Sequence, residues 1–98
     1  ESNQQLNYID VDGAAIVPGF VDSHTHLLWD GDRSNEMAMK ISGMSYREIS
    51  ELGLGISSTV SATQNASIER LIEIGKSRLK RAHKMGTTTL EAKSGYGF

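Results

Sequence analysis

Ile68, Leu71, Ile72, Gly75, Leu79, Ala82 and Gly86 recur at the i, i+3, i+4, i+7 intervals of a helix face, and this run limits the fold more than any other feature. Glu69, Arg70, Glu73, Lys76, Arg78 and Lys80 fill the opposite face. Ser67 stands at the N-cap position, and Gly86 follows the basic last turns as a stop. The spacing predicts a helix over 67–85. Directly after it, residues 87–92 (TTTLEA) are β-branched and strand-like, and Lys93-Ser94-Gly95-Tyr96-Gly97 turns them into a loop. Upstream, residues 20–28 mix strand formers with polar residues between turn signals, and read as a strand ending near Leu27. Strand, helix and strand in that order form a βαβ unit, whose strands lie parallel. The fold class is therefore α/β. A parallel sheet needs cover on both faces, and no segment here supplies cover for the second.

The remaining segments are less regular. Tyr8-Ile9-Asp10-Val11 and Ala14-Ala15-Ile16-Val17 flank Asp12-Gly13, a turn pair that tolerates positive φ, and predict a β-hairpin. Pro18-Gly19 breaks any further pairing. Residues 29–44 are rich in turn chemistry and read as a long loop, with Met37, Met39 and Ile41 as a short strand or a packing patch. Ser45-Tyr46-Arg47-Glu48 matches a capping box, so a short helix follows and stops at Gly53. Residues 54–63 are rich in Gly, Ser and Thr and read as loop with at most one helical turn.

Composition excludes several function classes. A net charge of −2 gives no electrostatic footprint for nucleic acid or an anionic membrane. No apolar run has the length of a bilayer span, and residues 1–7 lack the layout of a secretory signal. With 98 residues and no cysteine, the chain is expected to be cytoplasmic and to have no thiolate metal site. It lacks an initiator Met and is expected to begin partway into something longer.

His24-Thr25-His26 carries the clearest chemistry. Alternate strand residues share a face, so the two imidazoles point the same way and could share one divalent ion. Asp22 shares that face and is a candidate to orient a ligand. The alternative is a polar strand end, or a histidine hydrogen-bonded in a core. Arg33 presents a planar fork suited to a carboxylate, or is a solvated loop residue. Tyr96 lies between two glycines and could donate a hydrogen bond to a ligand or cover the sheet end. Glu91 and Lys93 could pair internally. His83 reads as a helix-end histidine, and Met37, Met39 and Met44 as packing residues.

The segment Val17-Pro18-Gly19-Phe20-Val21-Asp22-Ser23-His24-Thr25-His26-Leu27 resembles the first barrel strand of the amidohydrolase superfamily. Three further segments resemble the imidazolonepropionase family within it: residues 31–36 (GDRSNE), residues 45–49 (SYREI) with 53–60 (GLGISSTV), and residues 86–97 (GTTTLEAKSGYG). The resemblance runs in one register from about Tyr8 to Phe98. It implies the opening βα units of a metal-dependent (β/α)8 amidohydrolase barrel over 18–98. Over 1–17 it implies a β-hairpin of an accessory β-sandwich.

The implied activity is hydrolysis of 4-imidazolone-5-propanoate to N-formimidoyl-L-glutamate in histidine degradation, with one divalent ion, Zn or Fe. His24 and His26 match metal ligands; Arg33 and Tyr96 match substrate-binding residues. Lys93 does not match the carbamylated lysine of binuclear members. The implied partner is the small-molecule substrate, and a homodimer is compatible with the family. The remaining ligands and the catalytic residues are expected outside this chain, since such a barrel takes ~250 residues, so the chain alone is expected to be inactive. Leu54, Gln64 and Phe98 depart from the family pattern, but none is one of the four carried-over residues. Two alternatives stand: another cyclic amidohydrolase or deaminase of the superfamily, or a non-catalytic α/β module.

Overall fold

The computed structural model describes residues 7–97; residues 1–6 of the expected hairpin segment, and Phe98, lie outside the described residues. The element order is β1 (Phe20–Thr25), α1 (Ser34–Ile41), α2 (Tyr46–Glu51), α3 (Ile56–Asn65), α4 (Ile68–Lys84) and β2 (Thr87–Ala92). The two strands pair in parallel, with Phe20 opposite Thr87, Asp22 opposite Leu90 and Thr25 opposite Ala92. The expected βαβ unit is present, and α4 is the helix that returns the chain between its strands. The Lys93 N–H donates to the Thr25 carbonyl at 2.8 Å and carries the pairing one residue past the ladder.

Each helix end has a local cause. Ser67 caps α4 by accepting from the Arg70 N–H at 3.1 Å. Ser45 and Glu48 form the full capping box of α2: Ser45 Oγ accepts from the Glu48 N–H, and Glu48 Oε2 accepts from the Ser45 N–H at 2.7 Å. At the other end of α2, Gly53 N–H bonds the Ser50 carbonyl and Leu54 N–H bonds the Ile49 carbonyl, a Schellman closure. The bonds from Ser45 hold the Glu48 carboxyl below its usual range.

Three expectations are corrected. First, residues 29–44 are not all loop: they contain α1. Its apolar Met37 and Ile41 are exposed while Glu36 is buried, so the usual pattern of a core-facing helix is inverted. Second, residues 54–63 are mostly α3, whose inward face is made of Thr59 and Thr63 rather than aliphatic side chains. Third, the Asp12-Gly13 turn forms but no ladder does. Asp12 and Gly13 both take positive φ and the Ala14 N–H donates to the Val11 carbonyl at 2.9 Å. The arms beside it, with Tyr8, Ile9, Ile16 and Val17, are exposed and form no strand. An isolated two-stranded hairpin gains too little burial to hold itself together.

The core is small. Ile49 is the one apolar side chain buried among the described residues, and Phe20 and Val21 on β1 stay exposed. The radius of gyration is 20.6 Å, against roughly 13 Å for a compact domain of this length. Both observations fit a sheet whose faces await further cover.

Candidate functional site

The site gathers at the C-terminal ends of the two strands. His24 lies in β1 and His26 one residue past its end, so the strand stops at Thr25 rather than near Leu27. The period-two geometry still holds the pair together: their ring centres are 5.2 Å apart and nearly perpendicular. Tyr96 arrives from the loop after β2, with its ring centre 5.5 Å from that of His26. Parallel pairing of β1 with β2 is what brings residue 96 to residue 26.

His26 is held on several sides. Its Nδ1 donates to the Lys93 carbonyl at 3.2 Å. A carbonyl only accepts, so the proton sits on Nδ1, and in the neutral ring Nε2 keeps its lone pair. Gly95 lies directly against the ring: a Cβ built there would collide with Nδ1 and Cε1, the latter at 2.9 Å, and crowd Cγ. The Trp29 indole N–H donates to the His26 carbonyl at 2.9 Å, and the Trp29 ring lies 6.0 Å from Tyr96. Arg78 of α4 lies over Trp29, 3.7 Å from the ring centre, and its Nη1 donates to the carbonyls of Leu27 and Trp29 at 2.8 and 2.7 Å. Desolvation lowers the Arg78 pKa, partly offset by Asp30.

The segment after β1 is tied down separately. The Asp30 N–H donates to Thr63 Oγ1, and the Asp30 carboxylate pairs with Arg70 at 3.1 Å. The Gly31 N–H, then Arg70, holds the Asp30 carboxyl below its usual value. The buried Glu36 carboxylate accepts from the Gly55 N–H at 2.7 Å and so binds α1 to the N-terminus of α3. Because the Asp30 and Glu48 carboxyls are both depressed, their stabilisation is complete above the usual carboxylate pKa and is lost as pH falls through their lowered values. Acid titration followed by far-UV circular dichroism is expected to show loss of helix on that limb, and a smaller loss in Asp30→Asn.

Other sequence candidates fall elsewhere. Arg33 occupies the N-cap position of α1, exposed and with no side-chain capping bond, and is not gathered with the histidines by any described contact. Asp22 accepts from the His24 backbone N–H at 3.2 Å and so shapes the strand end, and no described hydrogen bond joins it to either imidazole. Glu91 and Lys93 are exposed and form no ion pair with each other. His83 lies in the last turn of α4, as expected. Trp29, Arg78 and Gly95 join the site without a signal of their own in the sequence; only the glycines beside Tyr96 point to close backbone approach.

The histidine pair fits an ion in part. Two imidazoles on one tetrahedral ion, with nitrogen–metal distances of about 2.0–2.1 Å, would hold their ring centres roughly 5 Å apart, close to the observed separation. Among the described residues, no three or more His, Cys, Asp or Glu side chains are grouped so that they could hold a metal ion. A catalytic zinc site takes three protein ligands, so a complete one needs donors beyond the described residues.

Fold and site define an α/β segment with a histidine pair at the tip of a parallel strand. No family model matches the chain. Its curated relatives, however, include imidazolonepropionases from several bacteria. It is 52% identical over 94 residues to the imidazolonepropionase of Bacillus mycoides, covering 96% of this chain and 22% of that protein. It is 48% identical over 97 residues to that of Symbiobacterium thermophilum, covering 99% and 23%. It is 49% identical over 89 residues to that of Idiomarina loihiensis, covering 91% and 22%. The family matched is thus imidazolonepropionase, in one stretch across nearly all of the chain, which spans between a fifth and a quarter of the length of these relatives. No helix of the described residues is long and apolar enough to cross a membrane.

Proposed function

We propose that this segment belongs to an enzyme that hydrolyses the ring amide of 4-imidazolone-5-propanoate, and that His24 and His26 are two ligands of its single Zn or Fe ion. The observation that carries the reading is the pairing of the two rings at 5.2 Å, with the His26 Nδ1 proton committed to the Lys93 carbonyl. That commitment leaves Nε2 as the ligating atom and fixes the ring against rotation. When bound, the ion supplies the Lewis acidity that makes water a competent nucleophile near neutral pH.

This chain's own residues then bind and orient. Tyr96 stands beside His26 and Trp29 and offers its phenol to a substrate at the strand tips. Arg33 offers a guanidinium fork to the propanoate carboxylate, from an exposed position that leaves it free to turn toward a ligand. Holding the carboxylate fixes the ring near the attacking oxygen and removes entropy from the barrier. A general acid for the leaving nitrogen comes, in this reading, from outside the chain. A barrel over 18–98 and beyond, an accessory β-sandwich to which residues 1–17 contribute, and a cytoplasmic location belong to the same proposal.

The test is an assay of the full protein on imidazolone propanoate against cyclic ureides. The expected result is turnover of the first alone, abolished by His26→Ala. Arg33→Ala is expected to raise KM by at least tenfold with kcat little changed, as a charge-assisted carboxylate contact of about 1.5–3 kcal/mol implies. Unchanged kcat/KM would remove Arg33 from the site.

A further inference from the structure

Beyond the histidine pair, α4 carries a side chain that reaches the strand tip. Arg78 lies 52 residues from His26 in sequence, on a helix that carries no other site residue, yet it reaches under the strand tip. Its Nη1 joins the Leu27 and Trp29 carbonyls, which flank the turn that follows His26, and its guanidinium lies over the Trp29 indole. Trp29 in turn donates to the His26 carbonyl. Gly75, one turn earlier on the same helix, is buried against Leu28, where a Cβ would meet Leu28 Cδ2 at 2.7 Å. The helix therefore grips residues 27–29 at both ends.

We propose that Arg78 is a positioning residue for His26, acting through Trp29: it locks the 26–29 turn so that the His26 ring is presented with Nδ1 on the Lys93 carbonyl and Nε2 free. The inference rests on the reading of His26 as a metal ligand. A surface arginine held by water would show neither two carbonyl bonds of 2.7–2.8 Å nor a ring 3.7 Å away. Both carbonyls lack a partner in the ladder, because β1 has ended at Thr25. Arg78 therefore does for this turn what the sheet does for the strand. Arginine suits the task because one planar group can donate at its edge and stack with its face.

The test uses the full protein with two variants. Arg78→Met keeps length and loses the donors; Trp29→Phe keeps a ring and loses the indole N–H. Two readouts are taken. In the metal-free protein, the His26 Nδ1 proton is followed by nitrogen-correlated NMR. In the same samples, Co2+ affinity is followed by visible absorption. The expected result is that both variants lose the protected Nδ1 signal and bind Co2+ about tenfold more weakly, with far-UV circular dichroism unchanged. Should Arg78→Met fail to fold, Trp29→Phe carries the test alone.

A protected Nδ1 signal and wild-type Co2+ affinity in the variants would overturn the positioning role and leave the ligand reading intact. Loss of the Nδ1 signal in the variants, with Co2+ bound equally well by His26→Ala and wild type, would uphold the locking of the turn and sink the ligand reading.

Discussion

Gly95→Ala is expected to break the candidate site with a single methyl group. The Gly95 backbone lies against the His26 imidazole so closely that a Cβ would overlap Nδ1 and Cε1 and crowd Cγ. Gly95 does not take positive φ, so alanine is conformationally acceptable there and the effect is steric alone. Something must yield. The loop of Lys93 to Gly97 continues β2 and is held by the Lys93 N–H on the Thr25 carbonyl, so it gives way less readily than a side chain. The His26 ring swings instead, and in doing so gives up the Lys93 carbonyl. The expected cost in stability is about 1–3 kcal/mol, as for overpacking elsewhere. The expected cost in metal affinity is about 10–100-fold, since the bond that orients the ligand goes with it. Urea unfolding and Co2+ titration of the same variant separate the two. Wild-type metal affinity would mean that the ring position does not matter.

The second large effect is in the core. Ile49 has no exposed surface, and no other apolar side chain among the described residues reaches that state. It sits in α2 between the Ser45–Glu48 capping box and the Schellman closure, whose Leu54 N–H bonds its own carbonyl. Truncation to alanine removes the transfer energy of three carbons and leaves a cavity, for an expected loss of about 2–5 kcal/mol. Small domains have about 5–15 kcal/mol in all, so Ile49→Ala should bring unfolding into mild urea. The control is Met37→Ala on α1, an exposed position, which is expected to change stability by less than about 0.5 kcal/mol. Equal effects at the two positions would show that Ile49 anchors nothing.

What could be read from the sequence follows from how local each signal is. The helix over 67–85 and its caps, the capping box at Ser45 and the β-branched strand after Gly86 each rest on residues within a turn or two of one another, and all form. The helices α1 and α3 escaped because their patterns run against the usual rule. In α1 an acid is buried and Met37 and Ile41 face out; in α3 the inward face is Thr59 and Thr63. The buried Thr59 Oγ1 has no hydrogen-bond partner among the described residues, and Thr63 alone is satisfied: its Oγ1 donates to the Thr59 carbonyl within α3 and accepts from the Asp30 N–H across the fold. Nothing within the segment announces that partner. The turn at Asp12-Gly13 was legible for the same reason that its ladder was not, since a turn needs four residues and a sheet needs cover.

The site divides in the same way. His24 and His26 share a face by strand period, so two residues of spacing revealed them. Tyr96 was ambiguous until β2 paired with β1 and set it beside His26. Arg78 reaches Trp29 across 49 residues, and Gly95 lies against His26, far from it in sequence, through the absence of a side chain; no pattern along the chain encodes either contact. Arg33 is the reverse case: family resemblance names it, and the structure places it at a helix start without bringing it to the histidines.

The measurement that bears most directly on the account is anomalous diffraction, at the zinc and iron edges, from crystals of the full protein. One peak is expected about 2.0–2.1 Å from a ring nitrogen of both His24 and His26, with Nε2 the atom used by His26. A peak that touches neither ring, or rings that face apart with no ion between them, would contradict it.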